Sequence, residues 1–315
     1  MIVTLTLNPS VDRTVEVETL ARGEVMRALG VRVDPGGKGI NVSRALATHG
    51  IPTRAVVTIG GAEGEHLVAL LRGTGIEIVP VPIKGAIRSN ITVVEPDGTT
   101  TKFNEPGAEL SPEELNAVFD AVANAIAAAD WLVVSGSLPP GTPADVYADL
   151  VRALAGSGIR VAVDTSGPAL EAALAAGPSL VKPNRDELAE VTGVRLVTIA
   201  DVVEAACRLR DRGAGAVLAS LGGDGAVLVD DDGAIHGQTP VVAPLSSVGA
   251  GDAILAGFLA GGGAGSKALT EGLAWGAAAV LQPGSGMPTP ADIDVAAVRL
   301  ERHETTRRDL LAMPP

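Results

Sequence analysis

Strand-like and helix-like segments alternate along the C-terminal two thirds of the chain, and this alternation restricts the fold more than any other feature. Apolar segments that predict buried strands, mostly followed by helix-forming stretches, occupy residues 131–135, 159–164, 180–182 and 214–221. Strands that alternate with helices in this way form parallel βαβ units. The sequence therefore predicts an α/β fold, in which a central, mostly parallel sheet is flanked by helices.

The N-terminal third breaks this alternation. Strands without helices between them are predicted around 14–18, 25–33, 87–95 and 99–104, and Glu95-Pro-Asp-Gly98 predicts a turn between the last two. Short strands inserted into an α/β domain form a lid or a dimer surface, or they are surface hairpins without a function. We expect one domain over residues 1–300, with lid strands inserted at about 12–33 and 87–104, and a polar tail over 301–315.

Composition argues against several classes of protein. The chain has 37 acidic residues against 24 Lys and Arg, a formal net charge of −13, so neither nucleic acid nor a membrane is an expected partner. No apolar stretch reaches the roughly 18 residues of a membrane helix. The chain starts without a basic leader, and Cys207 is its only cysteine, so a cytoplasmic location is expected.

The segment Val248-Gly-Ala-Gly-Asp252 precedes an apolar helical run. Small residues let a ligand approach the backbone closely, and the N–H groups at a helix start bind anions. An aspartate in the first turn is well placed to accept a proton from a hydroxyl group. The structural alternative is that the glycines cap the helix while Asp252 balances its dipole.

The segment Asp34-Pro-Gly-Gly-Lys-Gly-Ile-Asn41 leads into a helix predicted over about 40–48. Its bare Cα positions, with one Lys and one Asn, suit an anionic ligand that carries several hydroxyl groups. It is not a Walker A loop, because Gly follows Lys38 where that motif has Ser or Thr. The alternative is a tight turn with a solvated lysine.

Two further loops follow predicted strands. Lys182-Pro-Asn-Arg-Asp-Glu187 has Asn and Glu at the spacing of a capping box, which is a common structural feature. Ser220-Leu-Gly-Gly-Asp-Gly225 is either a phosphate-binding loop or a simple turn. It matches a dinucleotide-binding fingerprint only weakly, because a strand is predicted at 226–229 where that fingerprint requires a helix.

Six segments together carry a family resemblance: Thr6-Leu-Asn-Pro-Ser-Val-Asp12, Gly36-Gly-Lys-Gly-Ile-Asn41, Ser135-Gly-Ser-Leu-Pro-Pro140, Lys182-Pro-Asn184, Ser220-Leu-Gly222 and Gly249-Ala-Gly-Asp252. In their order and spacing, from residue 1 to about 290, they resemble the PfkB (ribokinase-like) sugar kinases. The resemblance implies a ribokinase-like fold with a small β-sheet lid that can pair two copies in a homodimer. It also implies ATP and Mg²⁺ as cofactors and leaves the need for a monovalent cation open.

The resemblance implies roles for individual residues. Asp252 would be the base, and the backbone N–H groups of Gly249, Ala250 and Gly251 would form the anion hole. The nucleotide would be bound by Lys182, Asn184, Ser220, Gly222 and Gly225, and Glu187 would hold Mg²⁺ through water. The sugar would be bound by Asp12, Gly36, Gly37, Asn41, Asn90 and Ser137, with Arg88 and Lys38 at the phosphate that the substrate already carries.

Within the family, the resemblance is strongest to members that phosphorylate fructose 1-phosphate to fructose 1,6-bisphosphate. Tagatose 6-phosphate and fructose 6-phosphate are the alternative substrates, because ring hydroxyls decide between these sugars and a sequence does not resolve them. An alternative of another class is a non-catalytic regulator that binds a sugar or a nucleotide. The presence of Asp252 and of the glycine loop before it argues against that alternative, since a regulator needs no base.

Overall fold

The computed structural model describes residues 1–303, which form a large sheet, a small sheet and nine α-helices. The strands are β1 Ile2–Thr6, β2 Ser10–Glu16, β3 Gly30–Gly36, β4 Thr53–Ile59, β5 Glu77–Pro82, β6 Arg88–Val94, β7 Thr100–Asn104, β8 Trp131–Ser135, β9 Arg160–Asp164, β10 Leu180–Val181, β11 Ala216–Ser220, β12 Ala226–Asp230, β13 Gly233–Gln238 and β14 Arg299–His303. The helices are α1 Lys38–Thr48, α2 Gly61–Leu71, α3 Pro112–Ala125, α4 Val146–Ala153, α5 Gly167–Ala175, α6 Arg185–Thr192, α7 Ile199–Asp211, α8 Ala250–Ala260 and α9 Gly265–Ala279.

The large sheet has ten strands in the order β14-β13-β12-β11-β10-β9-β8-β1-β4-β5. The strands from β11 through β5 are parallel, and β12, β13 and β14 extend one edge in antiparallel pairs. Successive side chains of β8 enter different cores: Leu132 packs with the core that includes α3, α4, α5 and α7, and Val133 with the core that includes α1, α8 and α9. Helices therefore cover both faces of the sheet, as the alternation of strands and helices predicts.

The small sheet, which we call the lid, has the strand order β3-β2-β6-β7. Alternation along its strands separates two faces. One face carries polar side chains, among them Asp12, Thr14 and Lys102, which line a cavity beneath the lid. The opposite face contains Arg13 together with Ile91 and Phe103, which are 38% and 56% exposed. The lid therefore has a polar inner face and a partly exposed apolar outer face.

The structure confirms the strand-and-helix alternation, but the lid strand expected around 14–18 is β2, which begins earlier, at Ser10, and ends at Glu16. Residues 25–29 are not a strand, because β2 ends at Glu16 opposite Gly30 and leaves them no partner strand. The expected polar tail begins inside a strand, because residues 301–303 belong to β14 and pair with β13. The rest of that tail, 304–315, lies outside the described residues. Within residues 1–303, no helix combines the length and the apolar character that crossing a membrane requires.

Candidate active site

Asp252 lies in the first turn of α8, directly after the glycine-rich loop. Gly249 caps the helix in the left-handed conformation, with a φ of 78°, which residues with a Cβ rarely adopt. N–H groups at a helix start lack acceptors within the helix, so this end attracts anions. The Asp252 side chain is buried and accepts a 2.9 Å hydrogen bond from Asn41 Nδ2. A carboxylate and an anion-binding helix end therefore lie side by side.

The environment of Asp252 favours its protonated form. Burial is the largest cause that raises the pKa of Asp252, and the nearby carboxylate of Asp164 raises it further. Lys38, Lys182 and the hydrogen bond from Asn41 act in the opposite direction, and the resulting pKa is about 6. A carboxylate with this pKa is ionised at neutral pH and is a stronger base than an ordinary aspartate.

Asp164 joins two lysines beside this base. It ends β9, is fully buried, and lies 2.7 Å from Lys38 Nζ through Oδ1 and 3.0 Å from Lys182 Nζ through Oδ2. Burial alone would raise the pKa of Asp164, but the two ammonium groups outweigh burial and lower it. Two cations are thus held next to the start of α8 by one shared carboxylate.

Lys38 has a different neighbourhood from the one predicted for it. The sequence analysis places it with Arg88 at the substrate's own phosphate. In the structure, Lys38 Nζ pairs with Asp164 and lies 3.6 Å from Glu187 Oε1, on the side where the nucleotide is expected. Burial alone would lower the pKa of Lys38, but these carboxylates raise it, so the lysine stays charged.

Glu187 and Asn184 form the capping box of α6. Asn184 Oδ1 accepts the Glu187 N–H at 2.9 Å, and Glu187 Oε2 accepts the Asn184 N–H at 2.8 Å. The second carboxylate oxygen, Oε1, remains directed toward Lys38. A carboxylate with one oxygen outside the cap fits a Mg²⁺ ion that keeps part of its water shell.

The residues expected on the nucleotide side converge around β11. Ser220 pairs with Asn184 in an isolated bridge, which brings the ends of two loops together. Gly222 begins a short 3₁₀ turn, Gly225 follows it directly, and their φ angles are positive, 63° and 83°. A Cβ at Gly225 would overlap the carbonyl oxygen of Gly237, so only glycine fits there. The loop is therefore tightly turned and follows a strand end, as a phosphate-binding loop requires.

The residues expected to bind sugar hydroxyls also meet. Asp12 Oδ1 accepts hydrogen bonds from Ser10 Oγ at 2.7 Å and from Asn90 Nδ2 at 2.9 Å. A Cβ at Gly36 would overlap the Asp12 carboxylate, and one at Gly37 would lie 2.8 Å from Thr6 Cγ2. Gly36 thus leaves room for the aspartate at the base of the lid, and Gly37 leaves room for Thr6.

Arg88 begins β6 at the edge of this group. Its guanidinium donates to the backbone oxygens of Asn8 and Glu105, both at 3.2 Å. The buried Nε of Arg88 has no hydrogen-bond partner within residues 1–303, and each terminal nitrogen has a second N–H, so donors remain for a ligand. Ser137 is connected to the same region, because Asn8 Nδ2 donates to its hydroxyl at 3.3 Å.

A cavity of about 980 Å³ separates the lid from the loop that leads into α8. Its lining includes Asp12 and Asp34 on the lid side and Val248, directly before Gly249, on the other. Arg32 and Lys102 add cations to the lining, and Arg32 pairs with Asp34 at 2.8 Å. The cavity is large enough for a small ligand and reaches from the lid to the helix start.

Sequence reasoning missed two charged residues that organise the site. Asp164 was expected only as the last residue of a strand, although an aspartate at the carboxyl end of a parallel strand is a recognisable signal of a ligand site. Arg44 lies on α1 and donates to Asn41 Oδ1 at 3.2 Å and to Ser285 Oγ at 3.2 Å. It therefore orients the amide that bonds Asp252, and nothing in its local sequence points to that role.

Comparison with known proteins identifies the family of the chain. Residues 5–292 match the model of the pfkB family carbohydrate kinases. The chain is 41% identical over 263 residues to the 1-phosphofructokinase of Xanthomonas campestris, covering 82% of this chain and 83% of that protein. It is 38% identical over 308 residues to the ATP-dependent 6-phosphofructokinase isozyme 2 of Escherichia coli, covering 96% of this chain and 99% of that protein. Phosphofructokinase-2 from Escherichia coli, crystallised in complex with potassium, aligns with a TM-score of 0.86 at 38% identity over 92% of this chain and 96% of that one. The chain therefore belongs to the pfkB family of carbohydrate kinases and is a sugar kinase with a ribokinase-like fold.

Proposed function

We propose that the protein transfers the γ-phosphoryl group of ATP to fructose 1-phosphate and forms fructose 1,6-bisphosphate. The observation that carries the proposal is the buried Asp252, whose pKa is raised to about 6 at a helix start beside two lysines. The cavity under the lid reaches Val248, directly before that helix start, and its wall contains Arg32 and Lys102 together with the carboxylates of Asp12, Glu16, Asp34 and Glu95. A substrate that carries a phosphate at one end and a reactive hydroxyl at the other suits a site with a base at the helix start and the Arg88 guanidinium at the lid.

In the proposed reaction, Asp252 accepts the proton of the sugar's attacking hydroxyl while that oxygen bonds to the γ-phosphorus and the bond to ADP breaks. The N–H groups of Gly249, Ala250 and Gly251 bind the oxygens of the transferring group. Lys38 and Lys182 place positive charge beside it, which matters because phosphoryl transfer depends mainly on positioning and charge neutralisation. Lys38 takes this role, in place of the expected one beside Arg88, because of its ion pairs.

The capping-box carboxylate fits the expected metal. Glu187 would hold Mg²⁺ through water with Oε1, and Mg²⁺ bound to ATP neutralises phosphate charge. Ser220, Gly222 and Gly225 would line the nucleotide, with Asn184 at the junction of the two loops. The potassium complex of phosphofructokinase-2 supports testing K⁺ as an additional cofactor.

A second candidate substrate is fructose 6-phosphate. The 6-phosphofructokinase isozyme 2 of Escherichia coli matches a larger share of this chain than the 1-phosphofructokinase of Xanthomonas campestris does, 96% against 82%, and the two identities are similar. The two sugars place phosphate and attacked hydroxyl at opposite ends of a nearly symmetric furanose ring. A site with one base and one phosphate-binding group at a fixed separation therefore accepts either sugar, one of them in a flipped orientation. The preference between the two sugars must come from contacts of the ring hydroxyls with Asp12 and Asn90.

A coupled ADP-release assay with Mg²⁺-ATP decides between them when it is run on fructose 1-phosphate, fructose 6-phosphate and tagatose 6-phosphate. We expect kcat/KM for fructose 1-phosphate to be at least about tenfold higher than for the others, or roughly 1.4 kcal/mol of transition-state discrimination. A preference for another of the three sugars would contradict the proposed substrate. Absence of turnover on all three would contradict the proposed reaction.

We further propose that the lid pairs two copies of the chain. Its outer face exposes Ile91 and Phe103, which face each other on adjacent strands β6 and β7 and are 38% and 56% exposed, and Val31, which is 62% exposed on β3 beyond β2. A contiguous apolar patch on a sheet face is a typical protein interface. Sedimentation should therefore show a dimer for the wild type and a monomer for Phe103→Asp. Val295→Asp, at an exposed apolar residue outside the lid, should leave the dimer intact, and a monomeric wild type would contradict the proposal.

A further inference from the structure

Three candidate metal ligands meet at the edge of the large sheet, on the last two strands. In the register of β13 and β14, Glu301 lies opposite His236, and His303 lies two residues further along β14. Because alternate residues of a strand share a face, all three side chains are on one side of this strand pair. One ligand atom from each residue lies within 4.8 Å of the other two.

The hydrogen bonding of His236 leaves one ring nitrogen for a metal. Its side chain is buried, and Nε2 lies 2.8 Å from the carbonyl oxygen of Asp224. A carbonyl oxygen only accepts, so Nε2 carries the proton and the lone pair is on Nδ1. Metal-binding histidines typically donate their second ring N–H to a backbone carbonyl in this way. His236 is therefore held in the tautomer and orientation of a ligand.

His303 has the opposite feature, a ring nitrogen without a partner. Its Nε2 is buried and makes no hydrogen bond to any residue in the range 1–303. Buried polar atoms are almost always paired, because leaving one unpaired is unfavourable. The His236 and His303 rings approach edge to face, with centroids 6.1 Å apart. A metal between them would satisfy the unpaired nitrogen, and the exposed Glu301 would supply negative charge.

We propose that His236, Glu301 and His303 bind a transition-metal ion of the Zn²⁺ class, with water as the fourth ligand. Two imidazoles and one carboxylate are a ligand set that Zn²⁺ uses, whereas Mg²⁺ prefers oxygen ligands alone. The site is therefore chemically distinct from the magnesium site proposed at Glu187. Ligands about 2.1 Å from a tetrahedral ion lie about 3.4 Å apart, so the ion would draw the three side chains together and fasten β14 to β13.

The site would also touch the nucleotide side of the protein. Through Nε2, His236 holds Asp224, which lies in the 3₁₀ turn between Gly222 and Gly225. A metal on Nδ1 would fix the ring that carries this hydrogen bond. The ion would therefore stabilise the C-terminal strand and the turn beside it as one unit.

The test is a titration of the complete 315-residue protein with Zn²⁺, after chelator treatment and in excess Mg²⁺, by isothermal calorimetry. We expect one Zn²⁺ per chain in the wild type, and binding at least tenfold weaker in both His303→Gln and Glu301→Gln. Glu301 is exposed, so its variant remains informative even if His303→Gln is poorly folded. His66→Gln is the matched control, because His66 lies 3.7 Å from Glu63 in a half-buried pair that offers only two ligands.

Thermal unfolding provides the second readout. Zn²⁺ at a hundredfold excess over its Kd should raise the Tm of the wild type and of His66→Gln by on the order of 5 °C, and that of Glu301→Gln by much less. The proposal is overturned if the wild type binds no stoichiometric Zn²⁺. It is also overturned if Glu301→Gln and His303→Gln bind Zn²⁺ as tightly as the wild type does.

Discussion

Replacing Asp252 with asparagine is expected to increase the stability of the folded protein at neutral pH. The carboxylate is buried, and burial together with the Asp164 carboxylate disfavours its charged form more than the nearby lysines favour it. Asparagine has nearly the same shape, carries no charge, and keeps an oxygen that can accept the hydrogen bond from Asn41. The substitution therefore removes an unfavourable buried charge without opening a cavity.

The magnitude follows from the pKa of Asp252, which the fold raises from 3.8 to about 6. Because the folded protein holds this proton more tightly than the unfolded chain, ionisation of Asp252 reduces the free energy of unfolding as pH rises from about 4 through 6. The loss amounts to about 3 kcal/mol at pH 7.5 and about half of that at pH 5. Asp252→Asn should recover up to these amounts.

Urea unfolding of the wild type and of Asp252→Asn at pH 7.5 and pH 5 measures this difference. Asp149→Asn is the control, because Asp149 is an exposed residue on α4 paired with Arg152. We expect the control to match the wild type at both pH values. An Asp252→Asn variant that is no more stable than the wild type at pH 7.5, or whose gain does not grow between pH 5 and pH 7.5, would show that the buried Asp252 charge does not destabilise the fold.

Three other substitutions test the rest of the site. Asp164→Asn should lower kcat more than tenfold. It should also move the acidic limb of the pH profile of kcat/KM to lower pH, because it removes a negative charge that raises the pKa of Asp252. An active variant with an unchanged acidic limb would argue against this effect of Asp164 on Asp252. Arg88→Ala should raise KM for the sugar phosphate at least about tenfold and leave KM for ATP nearly unchanged. The control Arg13→Ala, on the other face of the lid, should change neither KM. Equal increases in both KM values in Arg88→Ala would contradict the role of Arg88 at the phosphate of the substrate. Gly225→Ala should destabilise the protein by about 1–3 kcal/mol, because an alanine there is strained at positive φ; wild-type stability in urea unfolding would contradict this.

The sequence predicts the fold well wherever hydrophobic pattern and local capping agree. The capping box at Asn184 is present at the predicted spacing, because it depends on residues only three positions apart. The edge strand β14 was not predicted, since its polar segment Arg299–His303 becomes a strand only by pairing with β13. Long-range pairing of this kind leaves little trace in local composition.

The candidate site was predictable to the extent that each residue stands in a recognisable local segment. The glycine loop before Asp252 and the capping box at Asn184 are such segments. In the structure, both lie close to Asp164 and the two lysines that it pairs with. The partner of Lys38 could not be predicted, because Asp164 is 126 residues away and only the packing of α1 against the sheet brings the two together. Positioning residues such as Arg44 are hidden for the same reason.

The central claim is that Asp252 is the base of a sugar-phosphate kinase. The most direct measurement is ADP release from Mg²⁺-ATP with saturating fructose 1-phosphate, in the wild type and in Asp252→Asn, together with the Kd of each for ATP. We expect the variant to lose roughly 10² to 10⁴ in kcat while its Kd for ATP stays within about twofold of that of the wild type. Turnover of the variant at the wild-type rate would contradict the claim.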